Sequence, residues 1–134
     1  MIIAISLDRE FDNYTELYTS LLDLSSNSKF REFCGLESAL LSRFQTESKK
    51  PTQLFKIDWG VTPSTPKELI KLNKGNKPYN SQAPALAAKK LVSYATHMVE
   101  FGKGDYNISK LGKESLEIIR PDKKTVAATK RYKF

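Results

Sequence analysis

Residues 1–14, MIIAISLDREFDNY, pose the question on which the fold turns. Met1 to Leu7 is a nearly continuous apolar run rich in isoleucine, the pattern of a strand covered on both faces, and that favours a parallel sheet. Where an α/β domain that cradles an anion turns through glycine, this chain has Leu7, Asp8 and Arg9. The stretch is therefore either a phosphate-cradling turn without its glycine or only a turn.

Beyond the polar turn DREFDN, Tyr14, Leu17, Tyr18, Leu21 and Leu22 recur at spacings of three and four, one face of a helix with Asn13 as its cap and SSNS as its end. KFREFCG alternates Phe30 and Phe33 with charges and reaches Gly35, a short second strand. GLESALLSRFQTESKK puts Leu36, Leu40, Leu41 and Phe44 on one helical face, stopped by Pro51. TQLFKIDW, residues 52–59, reads as the third strand.

From Gly60 to Ser81 the chain carries Pro63, Pro66, Gly75 and Pro78, with one helical turn expected at PKELIKL; a connection this long inside a compact domain is usually functional or mobile. QAPALAAKKLVSYA predicts a third main helix, with Leu86, Leu91, Val92 and Tyr94 as its apolar positions. HMVEF predicts a fourth strand, GKGDYNISKLGKES a glycine-punctuated segment with one helical turn, and SLEIIRP a fifth strand closed by Pro121. Strands alternating with helices at this spacing predict an α/β fold: a Rossmann-like three-layer sandwich with a mostly parallel sheet of about five strands. In such sheets ligands bind beyond the carboxyl ends of the strands, where the strand order reverses. The loops to inspect are then 7–13, 34–38, 58–81 and 102–109.

The 134 residues fit one domain, expected over 1–120, followed by a basic tail, 121–134. Apolar residues make up 40% and charged residues 28%, ordinary usage for a soluble chain, with no apolar run near the roughly 18 residues of a membrane helix. MIIAISL is too short, and lacks a preceding basic segment, to be a signal peptide, so a cytoplasmic address and no membrane partner are expected. A single cysteine, Cys34, excludes an internal disulfide, and a single histidine, His97, leaves no Cys/His set for zinc. Carboxylate-bound magnesium leaves no sequence signature, so the cofactor stays open. The net charge is +7, of which the six basic residues and one aspartate between Arg120 and Phe134 contribute +5. Lys123, Lys124, Lys130, Arg131 and Lys133 are thus candidates for contact with nucleic acid, or simply a solvated tail.

At the selected loops the chain resembles the SLOG superfamily, the Rossmann-like fold shared by the LOG phosphoribohydrolases and the DprA type of DNA-processing protein, and within it the small stand-alone YspA-like branch. The resemblance lies in order and spacing over about residues 1–119. ISLDREFDNY keeps Arg9 and Phe11 but has Leu7 and Asp8 for the family's glycine and serine. CGLESA keeps Gly35, with Glu37 and Ser38 in place of the glycine-rich turn and its carboxylate. FKIDWG matches the acidic-aromatic pair at the end of the third strand, and NKPYNSQAPALAAKKLVSYATHMVEFGKG is the fullest match, with Ala87 and Ala88 replacing an arginine-asparagine pair. The proline-glycine-glycine motif and catalytic glutamate of the LOG enzymes are absent. The resemblance implies a retained fold without enzymatic activity, a nucleotide-derived ligand, a homodimer and, because small members are frequent in bacteriophages, a role in host takeover or counter-defence.

Six residues follow as ligand candidates: Arg9, Gly35, Trp59, Lys77, Tyr79 and Asn80. Arg9 suits bidentate contact with a phosphate, or a turn ion pair with Glu10 or Asp12. Gly35 precedes a helix start whose amides suit an anion, although Glu37 would also satisfy that helix dipole. Trp59 suits stacking on a base, or capping the core, while Asp58 fits a turn cap. Tyr79 and Asn80, with Lys71, Lys74 and Lys77 nearby, make the long loop the first choice for function; Asn80 or Ser81 equally suits a helix cap. His97 and Cys34 read as packed strand residues, so no catalytic residue and no metal ligand is assigned.

Overall fold

Ile3 and Ile5 pack on one side of the first strand and Ala4 on the other, and all three are fully buried, as the unbroken apolar run requires. The computed structural model describes residues 1–119. The order is β1 (Ile2–Leu7), α1 (Tyr14–Ser25), β2 (Glu32–Leu36), α2 (Ala39–Ser48), β3 (Thr52–Phe55), β4 (Ile70–Leu72), β5 (Pro78–Asn80), α3 (Ala83–Tyr94), β6 (His97–Phe101), α4 (Tyr106–Ser115) and β7 (Glu117–Ile118). Five strands form one sheet in the order β3-β2-β1-β6-β7, and every pairing is parallel, with Ile3 opposite Phe33 and His97, and His97 opposite Glu117. This is the expected Rossmann-like sandwich.

The alternation along the strands makes the three layers. Ile3, Ile5, Phe33, Val99 and Phe101 meet Leu17 and Leu21 of α1 and Leu41 and Phe44 of α2. On the opposite face Ala4, Cys34 and Met98 meet Ala88, Leu91 and Val92 of α3 and Ile108 of α4. The α3 face is therefore set by its alanines: Ala87 and Ala88 are buried, whereas Leu86 and Tyr94, expected inside, are exposed.

Local chemistry sets the element ends. Asn13 caps α1 by accepting from the Glu16 N–H at 3.1 Å. Ser38 caps α2 by accepting from the Leu41 N–H at 3.2 Å, so Leu36 closes β2 instead of opening the helix. The third strand is shorter than expected, because β3 is an edge strand and its only partner, β2, ends at Leu36 opposite Phe55. Among the described residues no neighbouring strand receives the backbone past Phe55, and 56–59 leave the sheet.

Two elements replace irregular structure. The long connection holds a 3-10 turn (Lys67–Leu69) and an antiparallel hairpin of β4 and β5, with Lys71 opposite Tyr79. The glycine-punctuated segment is a ten-residue helix, α4, capped by Asp105 accepting from the Ile108 N–H at 3.0 Å. Gly112 lets α4 lie against β6, since a Cβ there would stand 2.4 Å from the Met98 sulfur. Among the described residues no helix is long and apolar enough to cross a membrane.

Candidate functional site

The chain runs from β1 outward to β2 and β3, then returns to the other side of β1 for β6 and β7. The order thus reverses between β1 and β6, whose carboxyl ends flank the switch point where open α/β sheets take their ligands. Asp8 stands there. Its N–H donates to the Phe101 carbonyl at 3.1 Å, and its carboxylate accepts from the Glu10 N–H at 3.1 Å and the Lys103 N–H at 3.2 Å. Those two backbone hydrogen bonds, Glu10 first, hold its carboxyl below the usual carboxylate range. The turn that has no glycine thus fills its own amides with an internal carboxylate.

A cleft of about 830 Å³ opens over this edge. Its walls are Arg9 and Phe11 after β1, the first turn of α2, the 104–108 turn that starts α4, and Ile57, Trp59 and Pro84. Ala39 and Leu40, the first two residues of α2, line it; by helix geometry their amides have no acceptor inside the helix, and the Ser38 side chain accepts from Leu41. Arg9 is exposed beside them. The site can therefore meet one anionic group with a guanidinium and a helix N-terminus together.

The charge balance restricts what enters. Asp8, Glu37 and Asp105 line the same cleft as Arg9. Asp8 and Asp105 accept backbone N–H groups, and Glu37 adds a third carboxylate to the same lining. A single phosphate or carboxylate suits this balance better than a polyphosphate, whose several charges would meet three acids.

Under the 104–108 turn lies a buried polar chain. Ser6 Oγ accepts from the Asp105 N–H at 2.7 Å and shares a 2.6 Å hydrogen bond with Ser109 Oγ, which donates to Glu100 Oε2 at 2.6 Å. Gly104, at φ +75°, closes over them; a Cβ there would stand 2.6 Å from Ser109 Oγ, 2.8 Å from Glu100 Oε2 and 2.9 Å from Ser6 Oγ. The network fixes the start of α4 and with it one wall of the cleft.

Of the six residues singled out in the sequence, the cleft gathers Arg9 and Trp59. Gly35 lies inside β2, buried, opposite Leu54, where a Cβ would stand 2.7 Å from Leu41 Cδ1: it makes room for α2, and the helix start that faces the cleft is Ser38 to Leu40. Trp59 lies four residues past the end of β3, half exposed at 46%, with its carbonyl accepting from the Asn80 N–H at 3.0 Å. Tyr79 meets the Trp59 ring edge-on, centroids 5.7 Å apart, outside the cleft and against the hairpin. Asn80 accepts from the Gln82 N–H at 2.9 Å and so shapes the entry to α3, whose cap position is Gln82. Lys77 lies in the hairpin turn, its N–H donating to Asn73 Oδ1. Lys123, Lys124, Lys130, Arg131 and Lys133 lie outside the described residues.

Ser38, Asp105 and Tyr106 are site residues that the sequence reading did not select. The first two carry a readable signal, a capping side chain accepting from the N–H three residues on. Tyr106, 75% exposed in the first turn of α4, carries none. His97 starts β6, at the amino edge, where its ring is bonded to Thr96 and to Glu117, 3.0 Å away. Cys34 is buried, and desolvation pushes its thiol up to about 12. Among the described residues no group of three His, Cys, Asp or Glu is placed to hold a metal ion. Comparison with protein-family models, with curated proteins and with solved structures finds no match to this chain.

Proposed function

We propose that this chain is a non-catalytic Rossmann-like binding protein whose switch-point cleft holds a small nucleotide-derived or phosphorylated ligand carrying a single anionic group. The observation that carries the reading is that Arg9, the first residues of α2 (Ala39 and Leu40) and Trp59 line one cleft. A guanidinium and helix amides take the anion, and the aromatic ring takes the base. The absence of catalysis is part of the proposal: His97 sits at the opposite edge of the sheet and Cys34 is a buried neutral thiol, so neither serves the cleft. The same reading takes the chain as a diverged SLOG-type domain, supported by Arg9 and Phe11 standing at the cleft after β1.

Isothermal titration against nucleoside monophosphates and cyclic nucleotides tests it. Binding is expected for a monophosphate and weakened about 10- to 150-fold by Arg9→Ala, the worth of a charge-assisted hydrogen bond. Heat from none of these ligands would sink the proposal, and measurable cleavage of a nucleoside monophosphate would overturn its non-catalytic part.

A further inference from the structure

The hairpin carries a second concave surface, adjoining the cleft at Trp59 and Pro84. It measures about 860 Å³ and is lined by Trp59, Lys71, Leu72, Lys74 and Tyr79, with Asn73, Ser81 and Pro84 completing it. Leu72 is 64% exposed and Trp59 46%, so the apolar part is open to solvent. No carboxylate stands among these lining residues, whereas three line the cleft. The two surfaces share Trp59 and Pro84 but have opposite charge.

Hydrogen bonds close the turn between the two strands. Asn73 Oδ1 accepts from the N–H groups of Gly75 and Lys77 at 2.9 and 3.0 Å, and the Asn73 N–H donates to the Lys77 carbonyl at 3.0 Å. Lys74 therefore projects from a closed loop, and Lys71 faces Tyr79 across the strand pair. A half-exposed Trp59 ring with the partly exposed Tyr79 beside it, flanked by exposed lysines and with no acid in the lining, is complementary to a strand of unpaired bases on a phosphate backbone. A protein partner would use the apolar part but would leave these lysines without a recurring counter-charge.

We infer that the β4-β5 hairpin binds single-stranded nucleic acid, with Trp59 and Tyr79 stacking on bases and Lys71 and Lys74 contacting phosphates. The inference does not rest on the anion site at Arg9, although both readings use the Trp59 ring. Trp59 is the sole tryptophan of the chain, so its fluorescence reports the surface directly.

The test titrates the full chain with an oligothymidylate of about 12 nucleotides. Quenching of Trp59 is expected, with affinity falling about 7- to 20-fold between about 50 and 200 mM salt if two or three phosphates are neutralised. The double variant Lys71→Glu/Lys74→Glu, altered only at exposed positions, is expected to lose this binding, and Trp59→Ala, followed by anisotropy of a labelled oligonucleotide because that variant has no tryptophan, to weaken it about 5- to 150-fold. Arg9→Ala should leave oligonucleotide binding intact while impairing any mononucleotide binding, which separates failure of the two readings. No quenching, equal affinity for duplex of the same length, or binding that survives the Lys71/Lys74 reversal but disappears when Lys123, Lys124, Lys130, Arg131 and Lys133 become glutamine would overturn the assignment to the hairpin.

Discussion

Replacing Gly104 by alanine is the sharpest probe of the switch-point architecture. At φ +75° an L-residue costs about 1–2 kcal/mol relative to glycine. The new methyl would also stand within 3 Å of Ser109 Oγ, Glu100 Oε2 and Ser6 Oγ, which are themselves joined by hydrogen bonds of 2.6 Å. None of the three can retreat without stretching a bond to another, so overpacking adds about 1–3 kcal/mol. The expected loss is thus about 2–5 kcal/mol, or a melting temperature lower by roughly 8–20 °C for a domain of this size. Urea unfolding monitored by far-ultraviolet circular dichroism measures it, with an unchanged slope showing that only stability moved. Gly75→Ala serves as the control, because its nearest neighbour atom is Asn73 Oδ1 at 3.5 Å, and it should stay within about 0.5 kcal/mol of the parent. A Gly104→Ala protein as stable as that control would refute the packed turn.

Three further outcomes are expected. Asp8→Ala removes the carboxylate that occupies the Glu10 and Lys103 amides, so binding of inorganic phosphate, followed by calorimetry, should tighten; unchanged or weaker binding would mean those amides are not available to an anion. Tyr14 is raised to about 12, first by desolvation and then by its 2.8 Å hydrogen bond to Glu47. Its folded value lies above its ordinary 10.0, so the stabilisation is full below about pH 10 and is lost as pH rises through about 12; Tyr14→Phe should flatten the alkaline limb of a urea-stability profile. Cys34 should resist a thiol reagent at mildly alkaline pH in the folded protein and react at once in urea, and a fast native reaction would contradict its burial.

Much of the fold is legible because its signals are local. A nearly unbroken apolar run marks β1, three- and four-residue spacing marks α1, and Asn13 announces the start of α1 through its bond to the residue three positions on; the matching signal at Ser38 is masked by an apolar spacing that places the helix face from Leu36 onward. The errors have tertiary causes. Residues 56–59 continue a strand-like pattern, but an edge strand ends where its neighbour ends. The glycines of GKGDYNISKLGKES suggest a broken segment, yet Gly104 serves the turn and Gly112 serves close packing on Met98, so one helix runs from Tyr106 through Gly112 to Ser115. Leu86 looks like a core residue by type, and the alanines beside it take the core because α3 must lie close to the sheet.

The opening stretch shows where the division falls. Sequence alone determined that MIIAISL is a doubly covered parallel strand and that a polar turn follows it, since both depend on side-chain hydrophobicity and near-neighbour bonds. Only the tertiary structure decided what the turn does. A partner of Asp8 is Lys103, 95 positions away, and Arg9, a candidate already in the sequence, gains its setting because the start of α2 lines the same cleft. Trp59 and Tyr79, apart in the chain, meet because the hairpin folds back on the loop after β3. Such juxtapositions depend on the order in which strands pair, and no local pattern encodes that order.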